Sequence, residues 1–126
     1  MKIAVSATEG SLDADVDIRF GRCPYYVIFE VEEKEIKSHE IVKNTADEQM
    51  SGAGITAAQT VVNKGVGVII TGNLGPKAFD VLSSSGIKIV TGIEGNVKEA
   101  VENYLKGEIK ETKQSRPGFG MGRRLG

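Results

Sequence analysis

Apolar and polar residues follow two different periods along this chain, and the first part has the period of β-strands. The segment Lys2 to Ala7 is a short apolar run, which predicts a buried strand. Tyr25 to Glu32 is rich in β-branched and aromatic residues, and Glu35 to Val42 alternates with a more polar composition. The last two segments predict a hairpin. Its second strand carries charged side chains that discourage further pairing, so we expect it at the sheet edge.

From residue 53 onward the apolar positions have the period of α-helices separated by short strands. Ala53 to Asn63 places Ile55, Ala58 and Val61 on one face, and Gly65 follows as a C-terminal cap. The chain then alternates between strand and helix through four further predicted elements: Val66–Thr71, a helix from Pro76 to before Gly86, Ile87–Thr91 and Val97–Lys106.

Right-handed crossovers allow one arrangement of these elements that closes a single sheet. The predicted fold is an α/β domain with a mixed five-stranded sheet of order 3-2-1-4-5, in which strand 2 is antiparallel, and three helices. This is a ribonuclease-H-like topology. The carboxyl edge of such a sheet, where ligands bind in open α/β folds, receives the loop that contains Cys23.

Composition and charge narrow the class of protein. The chain has 126 residues and a net charge of -1, which argues against a nucleic-acid partner. Five basic and two acidic side chains lie within residues 107–126, so we expect a folded domain at 1–106 and a flexible Gly- and Arg-rich tail at 107–126. A single cysteine, no secretory signal and no membrane-length apolar run favour a cytoplasmic protein without a membrane partner.

The chain's one cysteine and one histidine are the candidate metal ligands. Cys23 follows Arg19 and Arg22 in a loop, and neighbouring guanidinium groups favour the thiolate form that binds metal. His39 is the weaker candidate. On a regular hairpin it lies about 15 Å from the level of Cys23, so one ion could not join both. A surface histidine is the alternative reading.

The helix N-termini are the second candidate feature. All three are expected at the carboxyl edge, at Gly52–Gly54, Gly75–Lys77 and Gly95–Val97, where unpaired N–H groups favour an anion. Lys77 adds positive charge. The loop before Arg19 carries Asp13, Asp15 and Asp17, which lack the remaining ligands of a calcium loop and are read as a solvated loop.

Three segments resemble the dinitrogenase iron-molybdenum cofactor-binding family. They are Arg19 to Phe29, Gly52 to Gln59 and Ile69 to Phe79, within a match over about residues 1–106. The resemblance implies a ribonuclease-H-like fold that binds anionic metal-sulfur clusters, as small nitrogenase cofactor carriers do. The expected site residues are Arg19, Phe20, Gly21, Arg22, Cys23, Gly72, Asn73, Leu74, Gly75, Lys77 and Gly95.

Three functions from different classes follow from these observations. The favoured one is non-catalytic binding or carriage of an iron-sulfur or iron-molybdenum-type cluster, with cofactor biosynthesis or acceptor proteins as partners and a monomer or weak dimer as the assembly. A binding module for a phosphorylated small molecule or another anion is the alternative, since helix termini serve it equally well. A nuclease on the same fold is less favoured, because the central strands carry no carboxylate to hold divalent metal.

Overall fold

The computed structural model describes residues 1–46 and 51–112. Its elements alternate as the sequence predicts, and their ends differ from the predicted ends by at most a few residues. They are β1 Lys2–Ala7, β2 Tyr25–Glu32, β3 Glu35–Lys43, α1 Ala53–Asn63, β4 Val68–Ile70, α2 Pro76–Ser84, β5 Lys88–Val90 and α3 Val97–Leu105.

The five strands form one sheet of order β3-β2-β1-β4-β5. β2 runs antiparallel to both β1 and β3, whereas β4 runs parallel to β1 and β5. The predicted strand order and the single antiparallel strand are therefore confirmed. The ribonuclease-H-like designation stays a prediction.

The sheet is covered on both faces, so alternate residues of its central strands enter two separate cores. On one face Ala4, Ile28 and Ile69 pack against α1 and α2. On the other face Ile3 and Val5 pack against α3 and the chain between β1 and β2. This division matters for the site, because α1 and α2 begin on one side of the sheet and α3 begins on the other.

β3 lies at the edge of the sheet, as its charged sequence predicts. His39 pairs with Phe29 of β2, is exposed, and its ring centroid lies 6.5 Å from that of Phe29. The register between β2 and β3 shifts at Glu30 and Val31, an irregularity that also limits pairing with another chain. His39 is thus a surface residue of an edge strand.

Two of the residues that follow α3, Ile109 and Thr112, contact the domain formed by the preceding elements. Ile109 is partly buried against the α3-side core. The Thr112 backbone N–H donates to the Ile89 carbonyl at 2.6 Å, and the Thr91 N–H donates to the Thr112 hydroxyl at 2.9 Å. This segment therefore runs beside β5. The domain boundary at Lys106 stays a prediction, and residues 113–126, the rest of the predicted tail, lie outside the described residues.

Within the described ranges, no helix has both the length and the apolar character needed to cross a membrane.

Two truncations measure where the domain ends. A chain that stops after Lys106 loses Ile109 and the Thr112 hydrogen bonds, so we expect it to be about 1–3 kcal/mol less stable than a chain that stops after Thr112. Urea denaturation of both chains, with the midpoint and slope of each transition, gives the comparison. Equal midpoints would show that residues 107–112 contribute nothing to stability.

Candidate functional site

A cavity of about 580 Å³ opens at the carboxyl edge of the sheet, between the loops that follow β1 and β4 and the N-termini of α1 and α2. Its walls combine backbone, apolar side chains and two cations. The lining residues are Ile18, Arg19, Phe20, Gly21, Gly52, Gly54, Ile55, Asn73, Leu74, Gly75, Pro76, Lys77 and Ala78.

Two glycines let the loops approach each other more closely than other residues would. A Cβ atom on Gly21 would lie 2.9 Å from the backbone nitrogen of Gly54, in the first turn of α1. A Cβ atom on Gly72 would lie 2.6 Å from the Cα of Ile18. Both obstacles are backbone atoms, which cannot move aside as a flexible side chain can. Glycine is therefore required where these loops meet.

The two helices that border the cavity begin without a side-chain cap. Gly52 precedes α1 in the left-handed conformation, with φ at 74°, and Gly75 precedes α2 in an extended one. Within the described residues, no side chain accepts a capping hydrogen bond from a backbone N–H at the start of either helix. The first turn of a helix carries unpaired N–H donors and partial positive charge. Both N-termini consequently present an anion-attracting end to the cavity.

The third helix N-terminus does not join this cavity, and Gly95 is not among the residues that line it. A cofactor-binding role of Gly95 stays a prediction. The Asn96 side chain accepts from the Glu99 N–H at 3.0 Å, so α3 is capped. The Val97 N–H donates to the Ala14 carbonyl at 3.0 Å, and the Val16 N–H donates to the Gly95 carbonyl at 2.7 Å. The chain between β1 and β2 thus covers the start of α3 on the opposite face of the sheet.

Among the described residues that line the cavity, Arg19 and Lys77 are charged, and none is a carboxylate. Asp17 lies beside the cavity, is 5% exposed, and forms an ion pair with Arg19 at 3.0 Å. The solvated-loop reading is therefore wrong for Asp17, although Asp13 and Asp15 are exposed. Burial alone would raise the pKa of Asp17, but hydrogen bonds from Arg19 outweigh that effect and hold the pKa below its ordinary value.

Cys23 is a core residue, which corrects the expectation of a partly exposed thiolate. Its side chain is 0% exposed, and its Sγ donates to the Phe20 carbonyl at 3.4 Å. The Tyr26 hydroxyl donates to the same carbonyl. Burial raises the pKa of the Cys23 thiol to about 11, so the thiol is protonated at neutral pH. The neighbouring arginines do not reverse this effect, and Cys23 does not line the cavity.

The loop that contains Cys23 is held in place by Asn44, a residue that the sequence pattern does not single out. Asn44 is 2% exposed. Its side-chain Nδ2 donates to the carbonyls of Gly21 at 3.0 Å and Cys23 at 2.8 Å, while its Oδ1 accepts from the Ala46 N–H. Because these contacts join the end of β3 to the loop, Asn44 fixes one wall of the cavity.

The structure brings most of the predicted site residues together. Seven line the cavity: Arg19, Phe20, Gly21, Asn73, Leu74, Gly75 and Lys77. Four do not: Arg22, Cys23, Gly72 and Gly95. His39 is on the edge strand, and the described residues hold no cluster of three or more side chains that could ligate a metal ion. Metal ligation by Cys23 or His39 stays a prediction, which this geometry disfavours.

The sequence interpretation missed four apolar residues that line the cavity. Ile18, Ile55, Pro76 and Ala78 line the cavity, and the side chain of Ile18 is unusual in being 66% exposed at its mouth. The signal that could have found them is their position: each lies within a few residues of a glycine loop already assigned to the site. The cavity is thus partly apolar as well as positively charged.

The fold and the cavity together define an α/β protein with a partly apolar cavity, lined by Arg19 and Lys77, at the carboxyl edge of its sheet. The sequence matches the family described as dinitrogenase iron-molybdenum cofactor over residues 1–107. The chain therefore belongs to this family.

Two similar proteins place the chain further within known structures and sequences. An uncharacterized protein of Methanocaldococcus jannaschii is 37% identical over 111 residues, which cover 88% of this chain and 91% of that protein. The apo form of the orange protein from Desulfovibrio gigas is 37% identical, with a TM-score of 0.86 over 92% of this chain and 96% of that one. Both similarities extend over most of the chain.

Thiol reactivity tests the position of Cys23. We expect the native protein to react with iodoacetamide far more slowly than a free thiol at pH 8, because the side chain is buried and protonated. Unfolding in denaturant should restore the ordinary rate. The Cys23→Ser variant supplies the background. A native rate comparable to that of glutathione would contradict the burial and return Cys23 to the candidate ligands.

Proposed function

We propose that this protein binds and carries an anionic iron-sulfur or molybdenum-containing metal-sulfur cluster, as cargo, without catalysing a reaction itself. The observation that supports this most strongly is the cavity where the N-termini of α1 and α2 lie beside Arg19 and Lys77. Among the residues that the structure describes, no side chain caps either helix and no carboxylate lines the cavity. Membership of the iron-molybdenum cofactor family supports the same cargo. Participation in cofactor biosynthesis within the cytoplasm, with donor and acceptor proteins, belongs to this proposal.

The cavity suits a metal-sulfur anion better than a strongly hydrated oxyanion. Its walls include Ile18, Phe20, Ile55 and Leu74, which offer no hydrogen bonds from their side chains. A phosphate that enters such a site gives up water hydrogen bonds that apolar groups do not replace. Sulfide ligands are large and polarizable and are more weakly hydrated than phosphate oxygens. We infer that apolar contact and positive potential act together on the cargo.

The energetics indicate why the apolar walls are needed. Two helix N-termini contribute about 0.3–1 kcal/mol each, and up to about 2 in partly buried geometry. Micromolar affinity requires about 8 kcal/mol, so the helix ends alone are insufficient. Cys23 does not supply a thiolate ligand to the cluster, because its side chain is buried and protonated. Contact with the apolar walls and attraction to Arg19 and Lys77 would supply the rest, which suits cargo that has to be released.

Anaerobic titration with tetrathiomolybdate, followed by visible absorption, tests the proposal. We expect the wild-type protein to bind and the Lys77→Gln variant to bind about three- to tenfold more weakly at low salt, with a smaller difference at high salt. Lys88→Gln is the matched control, because Lys88 is exposed at the start of β5, away from the cavity. Inorganic phosphate should compete poorly. Absence of wild-type binding, or equal losses in both variants, would overturn the proposal.

A second variant separates cavity binding from ligation by sulfur. We expect Cys23→Ala to bind tetrathiomolybdate as tightly as the wild type, because the thiol does not reach the cavity. The same variant should be about 1–2 kcal/mol less stable, since it removes a fully buried atom from the core. Affinity and urea stability are measured on the same preparation. Lost binding with retained stability would show that Cys23 is a ligand.

A further inference from the structure

One lining cation, Arg19, is held by a buried carboxylate. The Oδ1 of Asp17 accepts from the Arg19 backbone N–H at 2.8 Å and from the side-chain Nε at 3.1 Å. The Oδ2 accepts from Nη2 at 3.0 Å. The Asp17 side chain is 6% exposed, whereas that of Arg19 is 58% exposed. The carboxylate thus binds the Nε and Nη2 edge of the guanidinium, while Arg19 lines the cavity.

Asp17 is itself fixed to the two central strands of the sheet. Its backbone N–H donates to the Ser6 carbonyl at 2.8 Å, and the Ser6 hydroxyl donates to the Asp17 carbonyl at 2.7 Å. The Ser6 and Thr71 hydroxyls lie 2.7 Å apart, and both residues are buried. Ser6 is in β1 and Thr71 follows β4 directly. The hydrogen bonds through Ser6 and Thr71 therefore attach Asp17 to the rigid centre of the sheet.

A negative charge beside a cavity that binds anions is unexpected. Simple attraction would be stronger without it, because Asp17 offsets part of the charge of Arg19. Burying a carboxylate is also costly unless it is paired. The ion pair instead orders the arginine side chain. A free arginine side chain loses rotamer entropy when it binds a ligand, and a two-pronged contact with Asp17 removes part of that loss before any ligand arrives.

We propose that Asp17 is a positioning residue, which orients Arg19 toward the cargo and so strengthens binding although its charge opposes it. This inference rests on the proposed function and extends it to a residue outside the cavity lining. The inference predicts the direction in which the affinity changes when the Asp17 carboxylate is removed. If Asp17 orients Arg19, binding weakens; if only charge attraction matters, binding strengthens.

Asp17→Asn and Asp13→Asn make the matched comparison, because each removes one negative charge from the same loop. Asp13 is exposed, and in the described part of the chain its backbone N–H donates to the Ser11 hydroxyl, with no contact to Arg19. We expect Asp17→Asn to weaken tetrathiomolybdate binding about threefold or more, and Asp13→Asn to leave it unchanged or slightly stronger. Tighter or equal binding by Asp17→Asn would overturn the inference.

A double-mutant cycle shows whether Asp17 acts through Arg19. In an Arg19→Gln background, Asp17→Asn should change the affinity by less than about twofold, because the group it orients is already gone. An unchanged threefold effect in that background would contradict a positioning role. If Asp17→Asn fails to fold, Arg19→Lys replaces it: lysine keeps the charge but loses the two-pronged contact, so binding equal to wild type would overturn the inference.

The side-chain Nε–H resonance of Arg19 supplies a readout that needs no ligand. In the wild type it should exchange slowly with water, since Asp17 accepts its hydrogen bond, and in Asp17→Asn it should exchange faster. Equal exchange in both proteins would overturn the orientation step. Absence of binding by the wild type would overturn the proposed function instead, and the two failures are therefore distinguishable.

Discussion

The direct contact of backbone with backbone at two glycines is the constraint on which the cavity depends. Gly21 lies against Gly54, and Gly72 lies against Ile18, so closely that a Cβ atom at either glycine would meet main-chain atoms at under 3.0 Å. Because of these contacts the loop after β1 lies against the first turn of α1, and the loop after β4 lies against the loop after β1. A wider separation would fill the space with side chains and move the helix N–H groups away from a ligand.

The two faces of the sheet use the same kind of helix end in opposite ways. On the α3 side, Asn96 caps the helix, and Ala14 in the chain between β1 and β2 accepts from the Val97 N–H. On the other side, Gly52 and Gly75 have no side chain that could cap α1 and α2. Capping stabilises a helix on its own, and in the described part of the chain neither cavity helix has a side-chain cap, which is consistent with N–H donors kept for a ligand. Arg19 and Lys77 reinforce the same positive potential.

The fold was predictable from the sequence because its signals are local and agree with one another. Strand and helix periods place the elements, and right-handed crossovers then leave one strand order, which the structure has. The contacts made by the chain after α3 were less predictable. Ile109 and Thr112 are isolated positions in a polar segment, and their contacts with the α3-side core and β5 have no periodicity to reveal them.

The sequence predicted which loops lie at the candidate site, but it did not predict which of their side chains face the cavity. The glycine segments marked the right edge of the sheet, since a short loop between a strand and a helix can lie nowhere else. Whether a loop side chain faces inward depends on tertiary packing, however. Cys23 and Asp17 both lie in polar surroundings in the sequence, yet both are buried, one beside Tyr26 and the other beside Arg19. Local sequence also could not show that Ile18 reaches the cavity mouth.

The central claim is that an anionic metal-sulfur cluster occupies the cavity between the N-termini of α1 and α2. The most direct measurement is anomalous X-ray diffraction at the molybdenum edge, from crystals of the protein soaked anaerobically in tetrathiomolybdate. The account predicts one anomalous peak within contact distance of Gly54, Asn73 and Lys77. A peak beside Cys23, at His39 or at the capped start of α3, with none in the cavity, would contradict it.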